Sequence, residues 1–198
     1  MGSELIMRIG ILGGTFNPVH IGHLILAEEV REKLKLDKVI FVPAYLPPHK
    51  NNSDIAKPEH RYKMISLAIS TNKYFSVSDV EIKRKGRSYT IDTLREFKMV
   101  YSKDSLYFIT GSDLLKYLPQ WKDLKEVIKM VKFVVATRPG YPLEKIPDYI
   151  KTIGIRAVDI SGFEVRQCIK HNTSFRYLVP DAVFKYIAKN KLYKVVAD

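Results

Sequence analysis

The chain has 198 residues, of which 46% are hydrophobic, and it carries a formal net charge of +12 at pH 7. This length predicts one domain with its own core, over residues 1–198, and no apolar stretch approaches the ~18 residues that cross a membrane. The single cysteine, Cys168, excludes an internal disulfide and is typical of a reducing compartment, so we expect a cytoplasmic protein. Residues 1–6 show no secretory signal, and the sequence leaves open whether they are a native extension or a tag.

The positive charge is compatible with two kinds of partner, nucleic acid and phosphorylated small molecules. The lysines and arginines are scattered along the chain and do not form one stripe interleaved with aromatic residues. We therefore expect phosphorylated substrates, with neither nucleic acid nor a membrane as a partner. The sequence leaves homo-oligomerisation open.

The first element is a strand over residues 8–12, a short apolar run that stops at Gly13-Gly14, as buried parallel strands do. After Pro18, apolar residues recur at nearly every third position, which predicts an amphipathic helix. These helix positions are Ile21, Leu24, Ala27, Val30 and Leu34. The unit is therefore a strand, a glycine turn and a helix.

His20 and His23 lie in the opening turn of this helix, three residues apart, so their side chains share one face. They adjoin backbone N–H groups that have no partner within the helix, at the positive end of the helix dipole. Such a site binds anions, and the anion that suits it best is a phosphate.

Other interpretations of this turn fit less well. The chain has no G-x-x-x-x-G-K-[ST] Walker loop, and its G-G-T-F-N-P turn lacks the G-x-G-x-x-G of dinucleotide oxidoreductases. A zinc site at His-x-x-His lacks carboxylate and thiolate ligands nearby, so we predict no metal held by the protein alone. The remaining alternative is a tight turn between a strand and a helix with two solvated histidines.

Strands and helices alternate along the rest of the chain. We predict further strands at Lys38–Pro43, residues 74–80, residues 106–110, Lys132–Thr137 and residues 155–160. Helices are predicted from Pro58, after Thr90, from Ser161 and over residues 180–189. This alternation predicts a doubly wound α/β fold, with a mostly parallel Rossmann-like sheet and helices on both faces.

Polar residues follow several of these strands. His49 and Lys50 come after the second strand, Gly111 and Asp113 after the fourth, and Arg138 after the fifth. The loops that leave parallel strands at their carboxyl ends line a ligand crevice, so the loop after the second strand is expected to approach the paired histidines. The alternatives are an ordinary surface loop after the second strand and a simple helix start after the fourth.

Four residues have a structural and a functional interpretation. Thr90 has the place of a helix N-cap, which alone would account for it. Trp121, the only tryptophan, fits either the core or a stacking platform for a ring. Ser161 and Arg166 would aim donors at a second anion, or would belong to an ordinary capped surface helix. The basic run at 83–87 is interpreted as a solvated turn.

Several motifs occur in order along residues 8–193. They are G-G-T-F-N-P-V-H-I-G-H, P-P-H-K, S-Y-T-I-D-T-L, G-S-D-L-L-x-x-L-x-x-W, R-P-G, I-S-x-x-x-V-R and Y-L-V-P-D-A-V. Together they resemble the bacterial nicotinate-nucleotide adenylyltransferase family of the nucleotidyltransferase superfamily. The resemblance implies a single nucleotidyltransferase domain that transfers AMP from ATP to nicotinate mononucleotide. The products would be deamido-NAD and pyrophosphate, with Mg²⁺ as cofactor, in NAD biosynthesis.

The resemblance also implies roles for individual residues. The catalytic residues would be His20, His23, Lys50 and Arg166. The ATP-binding residues would be Gly13, Gly14, Thr15, Phe16, His20, His23, Ser161, Phe163 and Arg166. The residues that bind nicotinate mononucleotide would be Lys50, Thr90, Gly111, Asp113, Trp121, Lys122 and Arg138. Within these sets, Trp121 would stack on the nicotinate ring, and Ser161 and Arg166 would hold the β- and γ-phosphates.

Two sites in the chain depart from the family's pattern. Asn17 stands where the family usually has an aspartate, which removes one negative charge near the phosphates and is expected to matter little. Gly162 and Phe163 replace two residues that carry hydroxyl groups. Contacts with the end of ATP must therefore depend on backbone N–H groups and on Arg166.

Alternative functions remain open. The chain could be another small adenylyl- or cytidylyltransferase, with phosphopantetheine or nicotinamide mononucleotide as acceptor, although Trp121 and the G-S-D segment favour a pyridine nucleotide. H-I-G-H also occurs in aminoacyl-tRNA synthetases, but 198 residues without K-M-S-K-S argue against that class. A nucleotide- or RNA-binding module would bind ATP without releasing pyrophosphate.

Overall fold

The architecture is a parallel sheet with helices on both faces, in a computed structural model that describes residues 5–48, 54–137, 146–156 and 158–194. The strands are β1 (Arg8–Gly14), β2 (Lys38–Pro43), β3 (Phe75–Val77), β4 (Ser105–Gly111), β5 (Lys132–Thr137) and β6 (Ile150–Gly154). The helices are α1 (Ile21–Leu34), α2 (Pro58–Ile69), α3 (Val80–Arg84), α4 (Thr90–Val100), α5 (Leu124–Met130), α6 (Gly162–Lys170) and α7 (Asp181–Lys189), with a 3₁₀ helix at Ser112–Gln120. The predicted doubly wound α/β fold is confirmed. None of the helices in these ranges is long and apolar enough to cross a membrane.

The strand order is β3-β2-β1-β4-β5-β6, and every neighbouring pair is parallel. At the centre, Ile11 of β1 is in register with Ile40 of β2 on one side and Phe108 of β4 on the other. From β1 the chain winds outward in one direction to β3, and from β4 it winds in the other direction to β6. The direction therefore reverses between β1 and β4, in the middle of the sheet.

Two hydrophobic cores cover the two faces of the sheet. Because successive side chains of a strand point to opposite faces, β1 contributes to both. Ile11 packs with Leu94 and other residues of α4, α5 and the 3₁₀ helix, in what we term the α4 core. Leu12 packs with Val165 and other residues of α1, α2, α6 and α7, in what we term the α1 core.

The third predicted strand is wrong in its extent. The strand covers only Phe75–Val77, instead of residues 74–80, because helix α3 begins at Val80. This short helix buries Glu81, which the apolar pattern did not indicate. The predicted solvated turn at 83–87 therefore starts inside a helix.

The position of the sixth predicted strand is also wrong. The strand is Ile150–Gly154, and the described residues among 155–160 are not part of a strand. β6 is an edge strand in which only the two isoleucines are buried, so its apolar pattern is weak. The buried Ile155 lies just past its end, where its N–H donates to the Thr137 carbonyl at 3.0 Å.

The segment after β6 is tied to α1 by two basic side chains. Lys33 Nζ donates to the Gly154 carbonyl at 2.5 Å, and the Arg156 guanidinium donates to the buried Glu29 carboxylate. The hydrogen bond from Arg156 is the main reason that the pKa of Glu29 falls to about 2. These two contacts therefore hold the end of β6 and Arg156 against α1.

We expect Glu29→Gln to lower the Tm at pH 7, by an amount that shrinks as the pH falls from about 4.5 to about 2. The folded-state pKa lies below the ordinary value, so the stabilisation is present above that ordinary value and is lost on acidification through the folded-state pKa. Thermal unfolding of both proteins across this range measures the difference. Glu32→Gln, at an exposed carboxylate of the same helix, is the control. A difference that does not depend on pH would contradict the assignment.

Candidate active site

The winding direction of the chain reverses between β1 and β4, which places the expected ligand crevice at the carboxyl ends of these two strands. In doubly wound sheets the loops after two such strands diverge and leave room for a ligand. Residues 13–20, which are the last two residues of β1 and the loop that follows it, are here called the phosphate loop, and they lead directly into α1. The loop after β4 begins at Gly111, the last residue of that strand. The predicted site residues Gly13, Gly14 and Gly111 therefore lie at the same end of the sheet, where the strands have their carboxyl ends.

His20 and His23 face each other at the start of α1. His20 is the N-cap residue, and the ring centroids of the two histidines are 3.7 Å apart. The His20 backbone N–H donates to His23 Nδ1 at 3.2 Å, so a neutral His23 ring carries its proton on Nε2. A Cβ on Gly22 would lie 3.1 Å from His20 Nδ1, so a side chain at this position would press on the His20 ring. The predicted pairing of the two imidazoles is confirmed, although their role is a separate question.

Phe16 packs beneath this turn as part of the α1 core. Its side chain is buried and its backbone φ of 49° is in the left-handed region, which turns the chain out of β1. Its ring lies 4.9 Å from that of His23 and 5.8 Å from that of Phe41. The Phe16 side chain is therefore part of the core beneath the loop, and only its backbone remains for the predicted ligand contact.

The start of α6 lies beside the start of α1. A Cβ on Gly22 would be 3.7 Å from the Ile160 carbonyl, which directly precedes the N-cap of α6. Ser161 is that N-cap, as predicted, and its hydroxyl accepts from the Glu164 N–H at 3.1 Å. Two helix N-termini therefore converge next to the paired histidines.

Arg166 is fixed at this junction. Its Nη1 donates to the carbonyls of Asn17 at 2.8 Å and Gly162 at 2.9 Å. Phe163 is 61% exposed, and its ring centroid is 5.9 Å from the Arg166 guanidinium carbon. The sequence did not predict that part of this guanidinium would bind backbone carbonyls.

A second group of predicted residues lies at the start of α4, on the other face of the sheet. Thr90 is the first residue of this helix, so the predicted N-cap role is wrong and the N-cap is Tyr89. Lys122 Nζ is 3.4 Å from Asp92 Oδ2 and 4.9 Å from the Tyr89 ring centroid. The structure therefore brings Thr90 and Lys122 together, with Asp92 partly neutralising the lysine.

Trp121 ends the 3₁₀ helix and is half-buried. Its ring packs edge-on against Phe108 at 5.6 Å and lies 5.8 Å from Phe133, so it contacts the α4 core. One part of the indole thus stabilises the fold, while the remainder is accessible. The structural interpretation of Trp121 is therefore supported, and its exposed part leaves room for the functional one.

Several predicted site residues lie outside the described residues. These are His49, Lys50 and Arg138, together with the side chain of Asp113. Their predicted roles stay predictions.

Arg61 is a residue of this site that the sequence did not reveal. It is 0% exposed, and its guanidinium donates to the carbonyls of Ala56 at 2.8 Å, Thr15 at 2.8 Å and Tyr45 at 3.2 Å. Burial lowers its pKa. Since Thr15 belongs to the phosphate loop and Tyr45 to the loop after β2, Arg61 holds these two loops together. The only available signal was an arginine on the apolar face of α2.

Glu81 has a similar supporting place under the start of α4. Its carboxylate accepts a 2.5 Å hydrogen bond from the Thr93 hydroxyl, and burial raises its pKa. The Ser88 hydroxyl is also hydrogen-bonded to Glu81, and its oxygen accepts a hydrogen bond from the Tyr45 N–H at 2.8 Å. This chain of bonds joins the loop after β2 to the turn that begins α4.

The doubly wound fold, with two helix N-termini at the carboxyl end of its sheet, belongs to a known class of α/β enzymes, the nucleotidyltransferases. A family model described as cytidylyltransferase-like matches residues 11–168, from β1 to α6. A protein of Plasmodium falciparum, described as nicotinic acid mononucleotide adenylyltransferase complexed with NaAD, has the same fold. The TM-score is 0.77 at 20% identity, and the match covers 94% of this chain and 97% of the other.

Two relatives are similar in sequence over nearly their whole length. A probable nicotinate-nucleotide adenylyltransferase of Thermoanaerobacter sp. (strain X514) is 44% identical over 200 residues, which is 95% of each chain. A protein of the same name from Thermus thermophilus is 44% identical over 188 residues, which is 95% of this chain and 100% of the relative. The chain belongs to the nicotinate-nucleotide adenylyltransferase family, and the resemblance inferred from its motifs is confirmed.

Proposed function

We propose that this chain transfers AMP from ATP to nicotinate mononucleotide, giving deamido-NAD and pyrophosphate, as a step of NAD biosynthesis. The observation that carries the proposal is the meeting of two helix N-termini, those of α1 and α6, beside His20 and His23. Helix N-termini and imidazoles supply N–H donors and positive potential, which a polyphosphate requires. The names of the similar proteins indicate the pyridine nucleotide as acceptor.

On the ATP side, the two histidines bind the phosphates around the reacting phosphorus. The backbone of Gly13, Gly14 and Thr15 lines the start of the phosphate loop. Ser161 and Arg166 bind the β- and γ-phosphates from the start of α6. Phe163 is an exposed ring at the same place, and we assign it to the ATP side.

The chemistry needs no nucleophilic side chain. A 5′-phosphate oxygen of the mononucleotide, already anionic at pH 7, attacks the α-phosphorus of ATP. The bond from the α-phosphorus to the bridging oxygen breaks, and pyrophosphate leaves with that electron pair. Catalysis then consists of holding the two phosphates in line and stabilising the charge that spreads over the transferring group. His20, His23, Lys50 and Arg166 are the cations and donors proposed for this task.

Enzymes that use ATP in this way generally need a divalent cation, and we propose that Mg²⁺ is bound to the ATP phosphates as part of the substrate. Among the residues that the structure describes, no group of three or more His, Cys, Asp or Glu side chains is placed to hold a metal. The donors at α1 and α6 suit phosphate oxygens, not a cation. Mg²⁺ often keeps several waters and is bound through substrate phosphates.

The pyridine nucleotide is assigned to the start of α4. The first N–H groups of this helix, at Thr90 and Ile91, have no acceptor within the helix, and we assign them as donors for the nicotinate carboxylate. Lys122 lies at the same place, and the exposed part of Trp121 is the surface on which the pyridine ring stacks. The remaining residues assigned to this substrate are Lys50, Gly111, Asp113 and Arg138.

We expect nicotinate mononucleotide to quench the fluorescence of Trp121, which is the only tryptophan of the chain, and ATP alone to quench it little. Trp121→Ala should raise the KM for the mononucleotide by roughly 10-fold or more, since a stacked base is worth ~1–3 kcal/mol. It should also lower the Tm, because the ring contacts Phe108 and Phe133. A lower Tm with an unchanged KM would restrict Trp121 to the core.

A pyrophosphate-release assay tests the proposed function. ATP and Mg²⁺ are supplied with nicotinate mononucleotide, nicotinamide mononucleotide, phosphopantetheine or no acceptor. The proposal requires release with the first acceptor well above the others. Preference for another acceptor would indicate a different small adenylyltransferase, and ATP binding without release would indicate a binding module.

Two further expectations belong to this proposal. A cytoplasmic location is suggested by the presence of a single cysteine. The partners are ATP and nicotinate mononucleotide, with no part for nucleic acid or a membrane, and the oligomeric state is to be measured by light scattering.

A further inference from the structure

Asn17 lies where the phosphate loop, the segment before α2 and the start of α6 meet. Asn17 is 8% exposed, and both the NH₂ group and the oxygen of its side-chain amide form hydrogen bonds. The Nδ2 group donates to the Asp54 carbonyl at 2.8 Å, and Oδ1 accepts from the Ala56 N–H at 3.0 Å. The amide therefore clamps residues 54–56 to the phosphate loop from two sides.

The backbone carbonyl of Asn17 supports α6. It accepts from Arg166 Nη1 at 2.8 Å, and a Cβ on Gly162 would lie 2.9 Å from its oxygen. Any side chain at Gly162 would therefore push α6 away from this carbonyl. Asn17 and Gly162 therefore lie against each other in the fold.

We propose that Asn17 is a positioning residue for ATP, which holds residues 54–56 and α6 in place around the phosphate loop. The inference rests on the proposed function, because α1 and α6 are the proposed ATP cradle. An aspartate of the same shape could still accept from the Ala56 N–H, but its second oxygen would face the Asp54 carbonyl. The two oxygens would repel each other where the amide N–H now donates to a carbonyl, so an aspartate in this chain would weaken the contact between the phosphate loop and residues 54–56.

The first test is Asn17→Asp, with Asn72→Asp as a matched control. Asn72 also has a two-sided amide: its Nδ2 donates to Glu28 Oε2 at 3.0 Å and its Oδ1 accepts from the Tyr74 N–H at 2.9 Å. It precedes β3, so it lies at the amino ends of the parallel strands, whereas the crevice lies at their carboxyl ends. Both variants should lose some Tm, and only Asn17→Asp should change ATP binding.

For Asn17→Asp we expect the KM for ATP to rise roughly 10-fold, the scale of one buried polar group left unpaired. The KM for nicotinate mononucleotide should stay within about twofold, since no bond at the start of α4 changes. The rise in Tm that ATP induces without any acceptor should shrink in the same variant. An unchanged ATP response, or an equal change in Asn72→Asp, would overturn the inference.

Gly162→Ala is the second variant, and it tests the same positioning role if Asn17→Asp does not fold. Its added Cβ presses on the Asn17 carbonyl, so it should also weaken ATP binding selectively, and normal ATP binding would overturn the inference. Because the ATP-induced shift in Tm needs no acceptor, it can be read in the wild type and both variants whatever acceptor the enzyme uses. A failure of nicotinate mononucleotide to release pyrophosphate would instead overturn the proposed function.

Discussion

Replacing His20 or His23 by alanine is expected to lower kcat by ~10²-fold or more, the scale for loss of one donor that acts in the transition state. Both rings lie at the start of α1, 3.7 Å apart, where the helix N–H groups also point. Negative charge builds up around the α-phosphorus as the acceptor attacks, so a donor lost there costs more in the transition state than in substrate binding. The KM values should therefore change less than kcat.

The controls separate catalysis from folding. His20 is the N-cap of α1, and His20→Asn keeps a good capping residue while it removes the imidazole. This variant should retain more of the Tm than His20→Ala and lose as much kcat. His171→Ala, at an exposed histidine that ends α6, should behave like the wild type. A near-normal kcat in both alanine variants at His20 and His23 would remove these residues from the mechanism.

We also expect the enzyme to favour nicotinate mononucleotide over nicotinamide mononucleotide by at least ~10²-fold in kcat/KM. The proposed pocket at Thr90 offers backbone N–H donors and the Lys122 ammonium. A carboxylate can accept all of these bonds, whereas a carboxamide would turn its own NH₂ donors toward other donors. An unpaired buried polar group costs ~1–3 kcal/mol, and charge-assisted bonds add to the difference.

Steady-state kinetics with the two mononucleotides measure this preference. Lys122→Met should lower kcat/KM for the acid more than for the amide, and only in part, because Asp92 already shares the lysine charge. Equal rates for the two substrates would contradict this description of the pocket. They would leave the adenylyl transfer itself standing.

The parts of the fold that the sequence predicted well are those with strong local patterns. The bounds of β2 and β5 agree with the prediction because each is a continuous apolar run between polar residues. The prediction of the edge strand β6 was wrong because this strand has one neighbouring strand and three exposed residues, Lys151, Thr152 and Gly154, among its five. A strand with so little burial leaves only a weak pattern in the sequence.

The same distinction between local and long-range contacts applies to the residues of the site. The pairing of His20 with His23 and the cap at Ser161 could be predicted, since each depends on residues within one helical turn. Arg61 and Asn17 could not be identified as supports for the site, because their partners lie far along the chain. Arg61 binds Thr15 at a separation of 46 residues, and Asn17 binds Ala56 at a separation of 39. Such contacts arise only once the chain is folded.

The two hydrophobic cores have a consequence for how this enzyme family can diversify. The proposed ATP side is built on helices of the α1 core, and the proposed pyridine side is built on helices of the α4 core. The sheet lies between them, so a change of packing under α4 reaches α6 through the strands and through the loops that Tyr45 and Arg61 join. Acceptor choice could therefore drift through substitutions on one side of the sheet while the machinery for activating ATP is inherited unchanged on the other.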